Sequence, residues 1–339
     1  MHDPPQDTAD RLFAAAARRF EQGWLEDSRA QLDALLELFP ERPDALLLLA
    51  QVHRRLGYDY AEMVCLIRLA SVMPLTSDLT IRLSTLQMDS HLQSYAIETM
   101  RRAVEADPQD TELRSHYAYL LRVTRHRQEA LEELNRILAV KPDDACARFE
   151  QALIYLSDGR LAQGWQDFDQ RHGVDPDYVE PAGLVRWQGE SFAGRRLVVT
   201  TEGGFGDNVW AARFLKPVRQ LGGTLILQVH PALRELFAQV EGIDEFIDVD
   251  ACLDGFDFYC PILSLPVCLD VDEPERYPPA QLAWRASADE RFQELLARAG
   301  NRFRVGIIWS GSETYANNHQ RGAARVLLAV VDSPKDPIL

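Results

Sequence analysis

A short glycine-rich stretch in the second half of the chain carries the residues best suited to chemistry. It reads Glu202-Gly203-Gly204-Phe205-Gly206-Asp207-Asn208. Glycines at a strand-to-helix turn let the backbone bend sharply and bring its N–H groups, with a helix N-terminus behind them, close to a ligand. A carboxylate at such a turn can take a proton from an attacking hydroxyl group. The stretch is therefore a candidate ligand-binding turn.

Two known phosphate-binding signatures do not fit this stretch. Gly204 and Gly206 supply the G-x-G of a dinucleotide fingerprint, but Val209 stands where the third glycine belongs. No Gly-Lys-Ser/Thr follows, so a Walker A loop is absent as well. The sequence therefore disfavours both a nicotinamide-dependent oxidoreductase and a P-loop nucleotidase.

The elements that must position this stretch alternate between strand and helix, which predicts an α/β region. We expect strands at 197–201, 225–229, 245–249, 256–260 and 304–309. We expect helices at 209–221, 231–240 and 288–299, with Pro217 kinking or dividing the first of them.

The first half of the chain follows a different pattern, an internal repeat of 34 residues. Three columns of residues recur with this period. The first consists of prolines: Pro40, Pro74, Pro108, Pro142 and Pro176. The second consists of small residues (Ala16, Ala50, Ser84, Ala118 and Ala152) and the third of large apolar residues (Leu32, Leu66, Met100, Leu134 and Phe168). A small residue lets two helices approach closely, and proline ends the second helix of each unit. Each unit is therefore predicted to be a pair of helices.

This skeleton resembles the tetratricopeptide repeat (TPR) over residues 9–176, in about five units. Glycine stands at the turn in three of them, whereas His91 and Arg125 take that place in the third and fourth. The fifth unit has Gly164 and Trp165 where a helix alanine is usual, as expected of a terminal repeat joined to another domain. The resemblance implies an α-solenoid whose concave groove binds a protein or peptide.

A second resemblance covers residues 187–311. It rests on these motifs: Trp187-Gln188-Gly189-Glu190, Gly194-Arg195-Arg196-Leu197-Val198-Val199, Gly203 to Asn208, Arg213-Phe214-Leu215, Asp257 to Pro266 and Arg304 to Gly311. Together they look like the glycosyltransferase part of bacterial TPR glycosyltransferases related to the heptosyltransferases. The resemblance implies a GT-B architecture, in which two Rossmann-like lobes face each other across a cleft.

The resemblance also implies roles for individual residues. Asp207 matches the position of the general base, although an N-cap role before the following helix is an open alternative, and one residue can serve both purposes. Glu202 is a weaker alternative base. The expected substrate contacts are Gly203, Gly204, Phe205, Gly206, Asn208, Ser310, Gly311 and Arg321. The implied donor is a nucleotide sugar used as substrate, with no metal and no other cofactor, and flagellin or another surface protein is the candidate acceptor.

The donor lobe is short of what the resemblance requires. A Rossmann half takes on the order of 100 residues, and about 36 follow Arg304. Of the Asp-x-x-Arg-Ser motif expected after Gly311, only Arg321 matches. The domain prediction is therefore a disordered 1–8, a solenoid at 9–176, a linker at 177–194, a Rossmann-like acceptor lobe at 195–302 and the start of a truncated donor lobe at 303–339.

The composition limits the classes of partner that we expect the protein to bind. With 36 basic and 52 acidic residues the formal charge is −16, which disfavours nucleic acid and anionic membrane surfaces as ligands. No apolar run is long enough for a membrane span, and residues 1–25 do not read as a signal peptide, so we expect a cytoplasmic protein. Five cysteines without a C-x-x-C pair are expected to be structural thiols.

Two functions remain open from the sequence. The first is sugar transfer from a nucleotide sugar to a protein or glycan hydroxyl, with the solenoid groove presenting the acceptor. The alternative is a non-catalytic scaffold in which the repeats bind a protein and the Rossmann-like lobe is a degenerate remnant. Within residues 1–180 there are 31 acidic and 20 basic residues, which favours a basic or polar partner.

Overall fold

The computed structural model describes residues 5–176 and 178–280, with two isolated positions beyond them, Glu294 and Ala297. The predicted strand at 304–309 lies outside the described residues, as does almost all of the predicted helix at 288–299. The site residues Ser310, Gly311 and Arg321 also lie outside them.

The repeat region folds as five successive helix pairs, as its period predicts. The pairs are α1 (Pro5–Glu21) with α2 (Leu25–Leu38), α3 (Pro43–Leu56) with α4 (Asp59–Val72), α5 (Ser77–Asp89) with α6 (Gln93–Ala106), α7 (Thr111–Val123) with α8 (Arg127–Val140), and α9 (Ala145–Ser157) with α10 (Leu161–Phe168). A single turn, α11 (Arg171–Val174), follows. The fold is a TPR-type solenoid. Helix α1 begins at Pro5, within the segment 1–8 that was expected to be disordered, and residues 1–4 lie outside the described residues.

The repeated columns form the packing of the solenoid. All five small residues, from Ala16 to Ala152, are buried, and so are the first four large apolar residues, from Leu32 to Leu134. Phe168, the fifth, is half-buried because the last pair ends against the second domain rather than against another repeat. The period therefore predicts the solenoid core correctly.

The turn inside each pair keeps one backbone conformation even where its residue changes. Gly23, Gly57 and Gly159 have φ of +80°, +73° and +75°, and His91 and Arg125 have φ of +60° and +69°. This left-handed conformation ends a helix and is natural for glycine, whereas a side chain with a Cβ is strained in it. The third and fourth repeats therefore keep the fold at a local cost.

The curvature of the array follows from which helices meet. First helices of neighbouring pairs contact one another, α1 with α3, α5 with α7 and α7 with α9. Because a curved stack is tightest on its inside, the first helices lie along the inner, concave side. We call their exposed stripes, taken together, the inner face.

The second domain is a small parallel sheet of five strands, in the order β1-β5-β2-β3-β4. The strands are β1 (Val185–Arg186), β2 (Arg196–Thr200), β3 (Thr224–Gln228), β4 (Glu245–Ile247) and β5 (Phe258–Pro261). The three middle residues of β2 and of β3 are apolar on both faces and buried, as expected of a covered parallel sheet. The helices around them are α12 (Phe205–Ala211), α13 (Leu215–Gln220), α14 (Pro231–Phe237) and α15 (Leu265–Cys268).

Two sequence predictions need correction here. The helix expected at 209–221 begins earlier, at Phe205, and a 3₁₀ turn at Ala212–Phe214 divides it into α12 and α13. Pro217 explains the division, since it has no N–H to donate one turn back. The stretch assigned to a linker at 177–194 is not merely a linker, because it supplies edge strand β1 and the fully buried Trp187 and Phe192. The solenoid and the sheet belong to one compact unit.

Candidate functional site

The carboxyl ends of β2 and β5 form the place where an open parallel sheet usually binds ligands. From β2 the chain moves to β3 on one side, and it returns to the other side of β2 with β5, which makes a topological switch point. Glu202 follows β2 and Ser264 follows β5. The crevice between the two strand ends is therefore the first location to inspect for a site.

The end of the solenoid fills this crevice. Arg171 of α11 donates to both carboxylate oxygens of Glu202, with Nε–Oε2 at 3.0 Å and Nη2–Oε1 at 2.6 Å. The same guanidinium reaches the hydroxyl of Ser264 at 2.8 Å and a carboxylate oxygen of Asp169 at 2.6 Å. A side chain of the solenoid thus takes the place that a ligand takes in other open α/β sheets.

The remaining polar groups of this junction are satisfied among themselves. Arg186 of β1 donates to Asp169 at 2.7 Å and to Ser264 at 3.0 Å. The Ser264 hydroxyl in turn donates to Asp169 at 2.7 Å. We call the set Asp169, Arg171, Arg186, Glu202 and Ser264 the junction network. Its charges pair within a partly buried space, which is the arrangement that makes buried ions tolerable.

Glu202 is committed to this network and is not free to act as a base. Its carboxylate accepts from Arg171, from the backbone N–H of Leu263 at 3.0 Å, and lies 3.3 Å from Nε2 of His172. Burial raises the pKa of this carboxyl, but hydrogen bonds from His172 and Arg171 and the charge of Arg171 outweigh burial and hold the pKa at about 2. The alternative base expected from the sequence is therefore a structural anion.

Asp207 lies outside the crevice, on the exposed glycine-rich loop. Helix α12 begins at Phe205 with Gly204 as its N-cap residue, so Asp207 is in the first turn and does not take the N-cap position that the sequence left open as an alternative. Its Oδ2 accepts from the Gly204 backbone N–H at 2.9 Å, a capping-box contact. The carboxylate is exposed, so its role as a general base stays a prediction.

Of the other residues expected to bind substrate at this loop, some are exposed and one is buried and hydrogen-bonded within the loop. Gly203, Gly204, Phe205 and Gly206 are exposed. Asn208 is buried, and its amide nitrogen donates to the carbonyls of Glu202 and Gly204 at 2.9 and 2.8 Å. Asn208 therefore holds the shape of the loop, and substrate binding by the loop residues stays a prediction.

Aromatic rings pack beside the junction network. Trp165 of α10 stacks on Trp210 of α12 with centroids 5.9 Å apart, and Trp210 meets Phe214 and Tyr277 edge-on at 5.3 and 6.0 Å. Helix α10 also contacts α15. The solenoid and the sheet are thus joined by an apolar stack on one side and by paired charges on the other.

The inner face of the solenoid offers an accessible surface of a different kind. On α3 a partly exposed stripe is formed by the second, fifth and ninth residues, Asp44, Leu47 and Gln51. We give the same position numbers, two, five and nine, to the residues that stand at multiples of 34 from these in the other repeats. At position five, half-buried apolar side chains recur through four of the five repeats: Phe13, Leu47, Ile81 and Phe149. Ser115 takes this place in the fourth repeat, where Tyr119 and Val123 of α7 are exposed instead. An apolar row therefore runs along the inside of the array.

Acidic side chains border this row. Position two carries Asp10, Asp44, Asp78 and Glu112, each 34 residues from the next. Asp10 and Asp44 both pair with Arg42, at 2.8 and 2.7 Å, whereas Asp78 and Glu112 are exposed. Asp44, Asp78 and Glu112 also stand in the first turn of their helices, where a negative charge is stabilising. The border is thus acidic through the first four repeats and partly neutralised at its first end, whereas Cys146 takes this place in the fifth.

The cysteines only partly meet the expectation of structural thiols. Cys65 and Cys260 are buried and Cys268 is half-buried, but Cys146, near the start of α9, and Cys252, in the segment between β4 and β5, are exposed. In the described part of the chain no group of three or more His, Cys, Asp or Glu residues is placed to hold a metal ion. Among the helices that the structure describes, none is both long and apolar enough to cross a membrane.

Comparison with known proteins gives limited matches. No family model matches the chain. Protein FlbA of Caulobacter vibrioides (strain ATCC 19089 / CIP 103742 / CB 15) is 38% identical over 104 residues, which is 28% of this chain and 17% of FlbA. The chain thus matches about a sixth of the length of that curated relative.

Solved structures match about half of the chain. YrrB, described as a TPR protein with an unusual peptide-binding site, is 20% identical and has a TM-score of 0.42, over 49% of this chain and 86% of YrrB. The MamA protein is 13% identical with a TM-score of 0.43, over 52% of this chain and 98% of MamA. The TPR assignment rests on this chain's own helix pairs. These relatives give no support to sugar transfer, which stays a proposal.

Sequence reasoning missed the junction network. Its members stand up to 95 residues apart in the chain, as Asp169 and Ser264 do, and no local motif links them. One signal was present: a conspicuous Arg171-His172 pair directly after the last repeat, beside the carboxylate Asp169. Charged residues at the end of a solenoid are often solvated, so their burial follows only from the docked sheet.

Proposed function

We propose that this protein is a binding scaffold whose inner face holds a segment of another protein. The apolar row from Phe13 to Phe149 carries the proposal, because Phe13, Leu47 and Ile81 pack against the solenoid core and still leave part of their apolar surface exposed on the inside of the array. Exposed apolar surface rimmed by charged residues is characteristic of interaction sites.

The charges of the inner face favour a partner segment with apolar and basic residues. Asp78 and Glu112 lie beside the row without the arginine that neutralises Asp10 and Asp44. The repeat half also has an acidic excess, which speeds the approach of a positively charged segment. The docked sheet, with its crevice filled by Arg171, closes the last repeat and stiffens that end of the array.

The test is selection of peptides from a random display library on the purified chain, followed by fluorescence anisotropy with the selected peptides. Leu47→Arg places a long charged side chain in the apolar row, and we expect it to weaken binding at least about tenfold. Ile67→Arg is the matched control: Ile67 lies in the same repeat, is exposed on the second helix α4, and should leave affinity within about twofold. Equal affinities for both variants would remove the inner face as the site.

Sugar transfer remains a second candidate, supported by the parallel sheet and by the exposed Asp207 carboxylate on its glycine-rich loop. In this proposal Asp207 takes the proton of an acceptor hydroxyl while a nucleotide sugar supplies the glycosyl group. Calorimetric titration with nucleotide sugars tests it, using Asp207→Ala for the subsequent transfer assay. Absence of binding heat for every nucleotide sugar would exclude this candidate.

A further inference from the structure

Two thiols lie side by side beneath the junction network. Cys260 is at the end of β5 and Cys268 is the last residue of α15, and their Sγ atoms are 3.9 Å apart. Cys260 is buried and Cys268 is half-buried. The sulfur atoms of a disulfide are about 2.05 Å apart, so a movement of about 2 Å would bring this pair to bonding distance.

The surroundings keep the two thiols in this arrangement. The Cys268 thiol lies 3.5 Å from the carbonyl oxygen of Trp187, and the Cys260 thiol lies 3.4 Å from that of Pro261. Gly189, with φ of +103°, passes so close that a Cβ there would lie 2.1 Å from the Cys268 carbonyl oxygen. The segment after β1 therefore packs tightly on α15 and limits movement of Cys268.

The chain between the two cysteines carries the sheet's contacts to the solenoid. The backbone N–H of Leu263 donates to Glu202, and Ser264 exchanges hydrogen bonds with Arg171, Arg186 and Asp169. A covalent link from Cys260 to Cys268 would close a nine-residue loop around these groups. The loop would then have less conformational freedom with which to leave the junction.

We propose that Cys260 and Cys268 form a reversible disulfide that fixes the loop holding the solenoid's end. The oxidant is a low-molecular-weight disulfide such as oxidised glutathione. The half-buried Cys268 thiolate attacks one glutathione sulfur and releases the first glutathione thiolate. The Cys260 sulfur then displaces the second glutathione from Cys268. Both cysteine protons end on the two released glutathione thiols, so one disulfide is reduced as one is formed.

The order of the two steps follows from access. Burial, together with the neighbouring Cys268, raises the pKa of the Cys260 thiol, so Cys260 is a poor first nucleophile. Cys268 is reached from solvent first, and its mixed disulfide brings a reactive sulfur within reach of Cys260. The exposed Cys146 and Cys252 have no thiol neighbour among the described residues and should stop at the mixed disulfide.

The experiment uses the full chain with Cys146→Ser and Cys252→Ser, equilibrated in a series of glutathione redox buffers, alkylated and analysed by intact mass and peptide mapping. We expect loss of two hydrogens and a Cys260–Cys268 cross-linked peptide that reappears as two thiols on reduction. Hydrogen exchange of the backbone at 262–267 should slow on oxidation, with β3 unchanged. In the added Cys260→Ser variant, Cys268 should retain one bound glutathione. A stable mixed disulfide at Cys268 with Cys260 present, or no oxidation of either residue, would overturn the proposal.

Discussion

The solenoid and the sheet domain are held together by different kinds of contact. In the solenoid, each helix pair repeats the same apolar column, so stability is spread over many similar interfaces. At the junction, one guanidinium of Arg171 serves Glu202, Asp169 and Ser264 at once. A repeat array therefore tolerates the loss of one contact better than a junction whose charged contacts centre on one side chain.

The largest effect is expected at the junction. Arg171→Leu leaves the Glu202 carboxylate in a partly buried space without its main partner, and this should lower the free energy of unfolding by about 3–5 kcal/mol. Arg148→Leu is the control within the solenoid, since Arg148 pairs with Asp167 at 3.1 Å and is 36% exposed. That change should cost about 1 kcal/mol or less. Urea denaturation of both variants measures the two losses in free energy of unfolding. Similar losses would contradict the difference between the junction and the solenoid.

The pH dependence of stability should also separate the junction from the solenoid. Since the pKa of Glu202 falls from its ordinary 4.5 to about 2, its contribution is complete above pH 4.5 and is lost as the pH falls toward 2. Glu202→Gln removes this contribution, about 3 kcal/mol at neutral pH. We expect the urea midpoints of wild type and variant to differ most near pH 7 and to converge on acidification. A gap that stays constant with pH would show that Glu202 is not held as an anion.

A smaller effect is expected inside one repeat. Ala118→Leu adds three carbon atoms to a fully buried position of the small-residue column, which should lower stability by about 1–3 kcal/mol through overpacking. Ala139 is exposed on α8, and Ala139→Leu should stay within about 0.5 kcal/mol of wild type. The midpoints of thermal unfolding of the two variants test whether the small-residue column is closely packed. An unchanged midpoint for Ala118→Leu would contradict the close approach of the helices at this position.

These contacts show which parts of the molecule can be predicted from sequence. The buried column from Ala16 to Ala152 can be predicted from the residue spacing alone, because every repeat packs against its neighbour in the same way. The strands β2 and β3 follow from continuous apolar runs. The junction depends instead on where two domains dock, so the pairing of Arg171 with Glu202 and the closeness of Cys260 to Cys268 appear only in three dimensions.

The smallest expected effect is a gain. Arg125 has φ of +69° at a turn where three other repeats use glycine. Arg125→Gly should therefore raise the free energy of unfolding, by up to about 1 kcal/mol. Gly57→Ala is the reverse change at φ of +73° and should lower it by about 1 kcal/mol. Thermal melts of both variants decide the sign, and destabilisation by Arg125→Gly would show that the arginine side chain contributes more than its backbone strain costs.

The central claim is that partner binding belongs to the inner face and not to the glycine-rich loop. The most direct measurement is the affinity of one selected peptide for wild type, Leu47→Arg and Asp207→Ala under identical conditions. The inner-face account predicts at least about a tenfold loss for Leu47→Arg and no change for Asp207→Ala. A loss confined to Asp207→Ala would contradict that account and place binding at the loop of the sheet domain.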